Sequence, residues 1–158
     1  MEPTYQGNKD LLTKPLTGFL ASRTIQTEHV LACYDWATSL DPKTDCVVGG
    51  FQSSMERDVL HFLVKCKIPV IIVLARRFYK DLTEELLPAY NDGRILFISL
   101  NNNYKTTRAN ACMRNRYVAQ ISSKLVFGMY SEQSSLAEIY HAIKDEKEVK
   151  IIDKADSL

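Results

Sequence analysis

Six short apolar runs punctuate the chain, at residues 16–21, 46–49, 70–75, 95–100, 125–129 and 149–152. Most lack the alternation of a strand with one wet face. They predict strands covered on both faces, as in a largely parallel sheet. Between them the apolar spacing changes to that of helices. Met55, Val59, Phe62, Leu63 and Cys66 recur at i, i+4, i+7, i+8 and i+11, which is one face of a helix. Ser53 with Glu56 fits a capping box at its start. Ser135 with Glu138 repeats that arrangement before a last helix carrying Leu136, Ile139, Tyr140 and Ile143 on one face. A first helix packs Val30, Cys33, Tyr34 and Ala37. A short third helix covers 83–91 and ends at Asp92-Gly93, and a fourth covers 107–122. This alternation predicts an α/β protein: a doubly wound, mostly parallel sheet of about six strands with helices on both faces. The expected organisation is a single domain over 16–153, an N-terminal extension over 1–15 and a C-terminal tail over 154–158.

The four cysteines, Cys33, Cys46, Cys66 and Cys112, are widely spaced with no C-x-x-C pair. They read as small core hydrophobes in a reducing compartment, not as a disulfide set or a metal site. No metal and no cofactor is expected. The longest apolar run, 70–75, is far too short to span a bilayer, and the N-terminus is polar and lacks a signal-peptide core. The expectation is a cytoplasmic protein without a membrane partner.

Charge changes the picture more than composition does. Between Asp92 and Glu132 there is no carboxylate, while Arg94, Lys105, Arg108, Arg114, Arg116 and Lys124 all fall there. The chain is net +1 overall, so the remainder carries net −5. Local positive charge on a nearly neutral protein points to a bound anion, phosphate above all, or else to a solvated basic face. A doubly wound sheet binds ligands beyond the carboxyl ends of its strands. The segments leaving those ends are 21–23, 49–53, 75–77 and 130–135, a polar and basic set.

Within it, Gly49, Gly50, Phe51, Gln52 and Ser53 pass from a strand into a helix. Glycine there lets backbone approach a ligand, and the helix start offers N–H groups to an anion. The alternative is a tight turn with a serine cap. Gln133, Ser134 and Ser135 repeat the device before the last helix. Arg114 shares a helical face with Ala111, Tyr117, Val118 and Ile121, the apolar side. A basic group pointing at the sheet needs a counter-charge, either a ligand phosphate or a carboxylate such as Glu56. Phe51 and Tyr130, at strand ends, are candidates for stacking on a base. His29, His61 and His141 fall on helices with no catalytic or metal-ligand spacing, and Trp36 reads as core.

With these residues in hand, the chain resembles the DprA/Smf family of DNA-processing proteins, within the superfamily of Rossmann-like nucleotide-sensing domains. The resemblance lies in Phe19-Leu20-Ala21-Ser22-Arg23, Gly49-Gly50-Phe51, Arg114-Asn115-Arg116-Tyr117-Val118 and Ser134-Ser135-Leu136, in the family's order, over residues 16–143. A short branch of that family carries motifs matching residues 34–37, 50–56 and 132–136. The resemblance implies a Rossmann-like fold and binding of single-stranded DNA or nucleotide phosphates in a basic pocket. Arg23, Arg114, Asn115 and Arg116 would hold phosphate there, with Gly49, Gly50, Phe51, Ser53, Ser134 and Ser135 around them. It also implies a homodimer, a role in recombination or DNA uptake, and no catalysis. Two departures stand out. The family's A-R-G-I-D continuation is replaced by residues 51–56, and its accessory domains are not expected within these 158 residues. A second resemblance is to cytokinin-activating phosphoribohydrolases, in which Glu138 would be the catalytic carboxylate. Here their proline and glycines before that position are missing. A third reading is a nucleotide-sensing or partner-binding module without DNA.

Overall fold

The computed structural model describes residues 2–21, 27–128 and 132–152; the side chains of 27–29 lie outside that description. Seven strands form one sheet in the order β1-β5-β4-β3-β2-β6-β7. They are β1 Thr4–Gly7, β2 Thr17–Ala21, β3 Val47–Gly49, β4 Val70–Leu74, β5 Ile95–Ser99, β6 Lys124–Gly128 and β7 Glu148–Ile152. β2 to β7 are mutually parallel, and β1 runs antiparallel to β5. The six apolar runs are the six parallel strands, each bound within one residue of its expected place. The seventh strand, β1, corrects the count. All four of its residues are exposed, so backbone pairing to β5 defines it and no apolar pattern marks it. A 3-10 helix, Lys9–Thr13, follows and buries Leu11, so residues 4–13 pack as part of the sheet assembly.

The helices are α1 Thr27–Thr38, α2 Ser54–Lys65, α3 Leu86–Asn91, α4 Arg108–Ile121 and α5 Leu136–Ile143. The pleat sends alternate residues to opposite faces. Phe19, Ala21, Ile72 and Leu74 pack with α1, α2 and α3. Leu20, Ile71 and Val73 pack with α4 and α5. Both faces are covered, which is why the strands read as unbroken apolar runs. Each fully buried Phe or Leu adds about 1.5–3 kcal/mol, and Phe19, Phe127, Leu20 and Leu125 are all 0% exposed. Cys33 and Cys46 are also buried in these cores, and burial pushes both thiols up to about 12. These two behave as core hydrophobes, as expected, whereas Cys66 and Cys112 are only partly buried. No cluster of His, Cys, Asp or Glu that could hold a metal occurs among the described residues. No helix among them is long and apolar enough to cross a membrane.

Strand order reverses at β2. The chain builds β3, β4 and β5 outward on one side, and α4 then carries it back to lay β6 on the other. The crevice of such a sheet opens beyond the carboxyl ends of β2 and β6. Residues 22–26 and 129–131, which leave those strands, are outside the described residues. The neighbouring end, beyond β3, is described in full.

The two expected capping boxes had different outcomes. At α2, Ser53 has extended backbone and its hydroxyl accepts the Glu56 N–H, while Glu56 answers with its carboxylate. At α5, Ser135 makes no side-chain cap bond. Its backbone is already helical (φ −62°, ψ −18°), whereas a capping serine needs extended backbone to turn its hydroxyl onto the first turn.

Candidate functional site

α4 starts at the carboxyl edge of the sheet, capped by Thr107, and runs back beneath it. Long side chains on a helix lean toward its N-terminus. Arg114, midway along α4, therefore reaches back toward the edge and meets Gly50. A Cβ at Gly50 would lie 2.7 Å from both Cδ and Cζ of Arg114, so glycine is what lets the guanidinium approach that backbone so closely. Gly49 has a different reason. Its added Cβ would sit 3.0 Å from the Phe19 carbonyl oxygen and 3.2 Å from the Phe51 ring, a matter of core packing.

Arg114 is 4% exposed. Its Nε and Nη2 donate to Asn115 Oδ1 at 3.3 and 3.2 Å. No carboxylate forms an ion pair with it among the described residues. Burial pushes its pKa below the usual arginine value, and the field of Glu56 opposes that shift. The guanidinium thus keeps N–H groups and charge to spare at the sheet edge.

Glu56 is the reason the β3–α2 loop does not act as expected. It is itself 4% exposed. Its Oε2 accepts the Ala21 N–H at 3.2 Å, and its Oε1 accepts the N–H groups of Gln52 and Ser53, each at 3.1 Å. The first turn of α2 already holds an anion, and it belongs to the chain. Ser53, expected to offer its N–H to a phosphate, donates it to Glu56, and its hydroxyl accepts the Glu56 N–H at 3.3 Å. Phe51, expected to stack on a base, is 4% exposed and packs in the core under α2. Its backbone has φ 52°, a left-handed turn that swings the ring inward.

The remaining candidates gather in a groove between α4 and α5. Arg116 Nη2 lies 3.3 Å from Glu138 Oε1, with both side chains well exposed. Asn115, Arg116, Ser135 and Glu138 line a small cavity there. Ser134 sits at the start of α5, where its carbonyl accepts the Ala137 N–H at 3.1 Å. Arg23 and Tyr130 are outside the described residues. The structure therefore brings Gly50, Arg114 and Asn115 together, and Arg116 with Ser135 beside them. It sends Phe51 and Ser53 to the α2 side.

The acid-free stretch divides in the same way. Arg94 donates to the Val64 carbonyl at 3.3 Å and pairs with Asp92 at 3.1 Å, and Lys124 lies 3.9 Å from Glu148. Arg114, Lys105 and Arg108 have no ion pair among the described residues. Two more arginines join them. Arg76 and Arg77 leave β4 and lie over the rings of Tyr79 and Tyr104, at 4.2 and 4.3 Å from the ring centres. Neither has an ion pair among the described residues. Their position at a strand end is visible in the sequence; their aromatic partners are not. On the α2–α3 side of Gly50 lies a pocket of about 340 Å³, floored by Ile72, Leu74 and Phe97 and rimmed by Gln52, Arg57 and Asp81.

Residues 4–157 match the model of a family described as DNA recombination-mediator protein A. The chain belongs to that family. None of the curated proteins compared with this family member matches it in sequence. Among solved structures, it is similar to DNA processing protein A from Streptococcus pneumoniae, with a TM-score of 0.75 at 17% identity, over 94% of this chain and 54% of that one. This member of the recombination-mediator family thus spans about half the length of the Streptococcus protein. It is also similar to DNA processing protein A from Helicobacter pylori, whose structure is described in terms of its single-stranded DNA binding mode. There the TM-score is 0.73 at 14% identity, over 99% of this chain and 77% of that one. The molybdenum cofactor binding protein of Rippkaea orientalis shares the fold more distantly, with a TM-score of 0.62 at 14% identity, over 87% and 76%.

Proposed function

We propose that this chain binds single-stranded DNA through its phosphates at the carboxyl edge of the sheet, in the service of DNA processing or recombination. The observation that carries the reading is Arg114: a buried guanidinium at that edge, with no carboxylate paired to it among the described residues. A phosphate is the partner that completes such a group, because it accepts two parallel N–H bonds. Arg76, Arg77, Lys105 and Arg108 extend the positive surface along the same edge and would follow a strand better than a single nucleotide. Family membership supports the choice of DNA.

The proposal carries no catalytic step. Glu138, the residue a phosphoribohydrolase would use, sits exposed in an ion pair with Arg116 at 3.3 Å. Incubation with a panel of nucleoside monophosphates should release no base. The chain is further proposed to act as a homodimer in the cytoplasm. Four free cysteines suit a reducing compartment. Sedimentation equilibrium at micromolar concentration tests the dimer. The binding itself is tested by anisotropy titration of a labelled oligo-dT. Arg114→Ala should weaken it about tenfold or more, the worth of one charge-assisted contact. An unchanged affinity would remove Arg114 from the site.

A further inference from the structure

Beyond β4 and β5 the carboxyl edge carries a feature that phosphate binding alone does not use. Tyr104 is 65% exposed, and the Arg77 guanidinium covers its ring at 4.3 Å. The loop beneath is fixed by polar contacts. Arg77 N–H donates to the Asn103 carbonyl at 2.9 Å, and Asn103 N–H donates to Asn101 Oδ1 at 2.9 Å. The Ser99 hydroxyl lies 2.6 and 2.8 Å from the carbonyl oxygens of Arg76 and Asn101. The ring therefore stands on a segment bonded to the ends of both strands, not on a loose tip. Asp92 and Glu132 are the nearest carboxylates in sequence on either side of it. Arg77, Lys105 and Arg108 have no ion pair among the described residues.

A lone exposed tyrosine needs no explanation. A tyrosine held in place beneath an unpaired guanidinium, on a basic edge, offers a flat π surface and a cation side by side. Those are the two things a nucleotide presents partners for, in its base and its phosphate. We infer that Tyr104, backed by Arg77, is a base-stacking platform for single-stranded DNA. The inference rests on the reading that this chain binds single-stranded DNA. It adds that the protein holds bases as well as backbone. The platform is tolerant of sequence, because every base has a π face.

The test compares oligo-dT with an abasic strand of equal length and equal phosphate number, by anisotropy titration at one salt concentration. The wild-type protein should prefer oligo-dT by about tenfold, the effect of one base stacked on an aromatic ring. Tyr104→Phe should keep that preference. Tyr104→Ala should lose most of it while binding the abasic strand as the wild type does, with an unchanged thermal melt. If Tyr104→Ala keeps the full preference, the stacking role is overturned and DNA binding stands. If it weakens both strands equally, Tyr104 acts through the loop and the stacking role is again overturned. If the wild-type protein binds neither strand, the proposed function itself fails.

Discussion

Arg114 is where burial and charge conflict. A guanidinium with 4% exposure and one amide partner costs several kcal/mol in lost hydration, a cost that a purely structural residue would recover through an ion pair. Arg114→Met keeps the bulk and removes the charge. It should leave stability unchanged or raise it by ~1 kcal/mol, measured by urea unfolding, while oligo-dT affinity falls. A loss of several kcal/mol in stability would instead mark Arg114 as a structural residue. Gly50→Ala should mimic the binding loss, because its methyl would fall 2.7 Å from Arg114 Cδ and Cζ and displace the guanidinium. Affinity equal to wild type in Gly50→Ala would show that the guanidinium's position against the backbone does not matter. The helical face of Arg114 was legible in the sequence from Ala111, Val118 and Ile121. The capping bond between Glu56 and Ser53 was legible too; the tie from Glu56 to Ala21 was not, since only folding brings the Ala21 N–H to that carboxylate. Nor was the inward turn of Phe51, which follows from a backbone φ of 52° that no side-chain pattern announces.

At the scale of elements, the start of α2 joins stability to the site. Glu56 ties Ala21 at the end of β2 to Gln52 and Ser53 ahead of α2, and so fixes the spacing of the two strand ends that flank Gly50. Glu56→Ala leaves three N–H groups without that partner and should cost about 3 kcal/mol or more. Glu56→Gln, which keeps an acceptor oxygen, should cost clearly less; both are read by denaturant melts. Equal losses would mean that the charge, and not the bonding, matters. The sequence made six strands and three of the five helix starts plain, because burial on both faces and apolar spacing leave direct traces. It missed β1, whose four residues are all exposed and whose pairing is made by backbone alone. It misread Ser135, because S-x-x-E specifies a capping box only where the serine backbone is extended, and here it is helical. The C-terminal end of α4 held a further surprise. Lys147 Nζ donates to the carbonyls of Ala119, Gln120 and Ser122 at 2.6, 2.9 and 2.8 Å, a cap contributed from the turn before β7, far from α4 in sequence.

For the whole molecule, topology concentrates the positive charge. Carrying the chain back through α4 sets Arg114 at the carboxyl edge that also holds Arg76, Arg77, Lys105 and Arg108. The acid-free stretch in the sequence pointed to this edge but included Arg94 and Lys124, which the fold spends on Asp92 and Glu148. It also omitted the two arginines after β4. The central claim is that this edge binds the phosphates of a single strand. The most direct measurement is the affinity for labelled oligo-dT across a salt series from about 50 to about 200 mM. If these five cations each meet a phosphate, log affinity should fall against log salt with a slope of about −3.5, and Arg114→Ala should make it shallower by about 0.7. Binding that ignores salt, or a slope that Arg114→Ala leaves unchanged, would contradict the account.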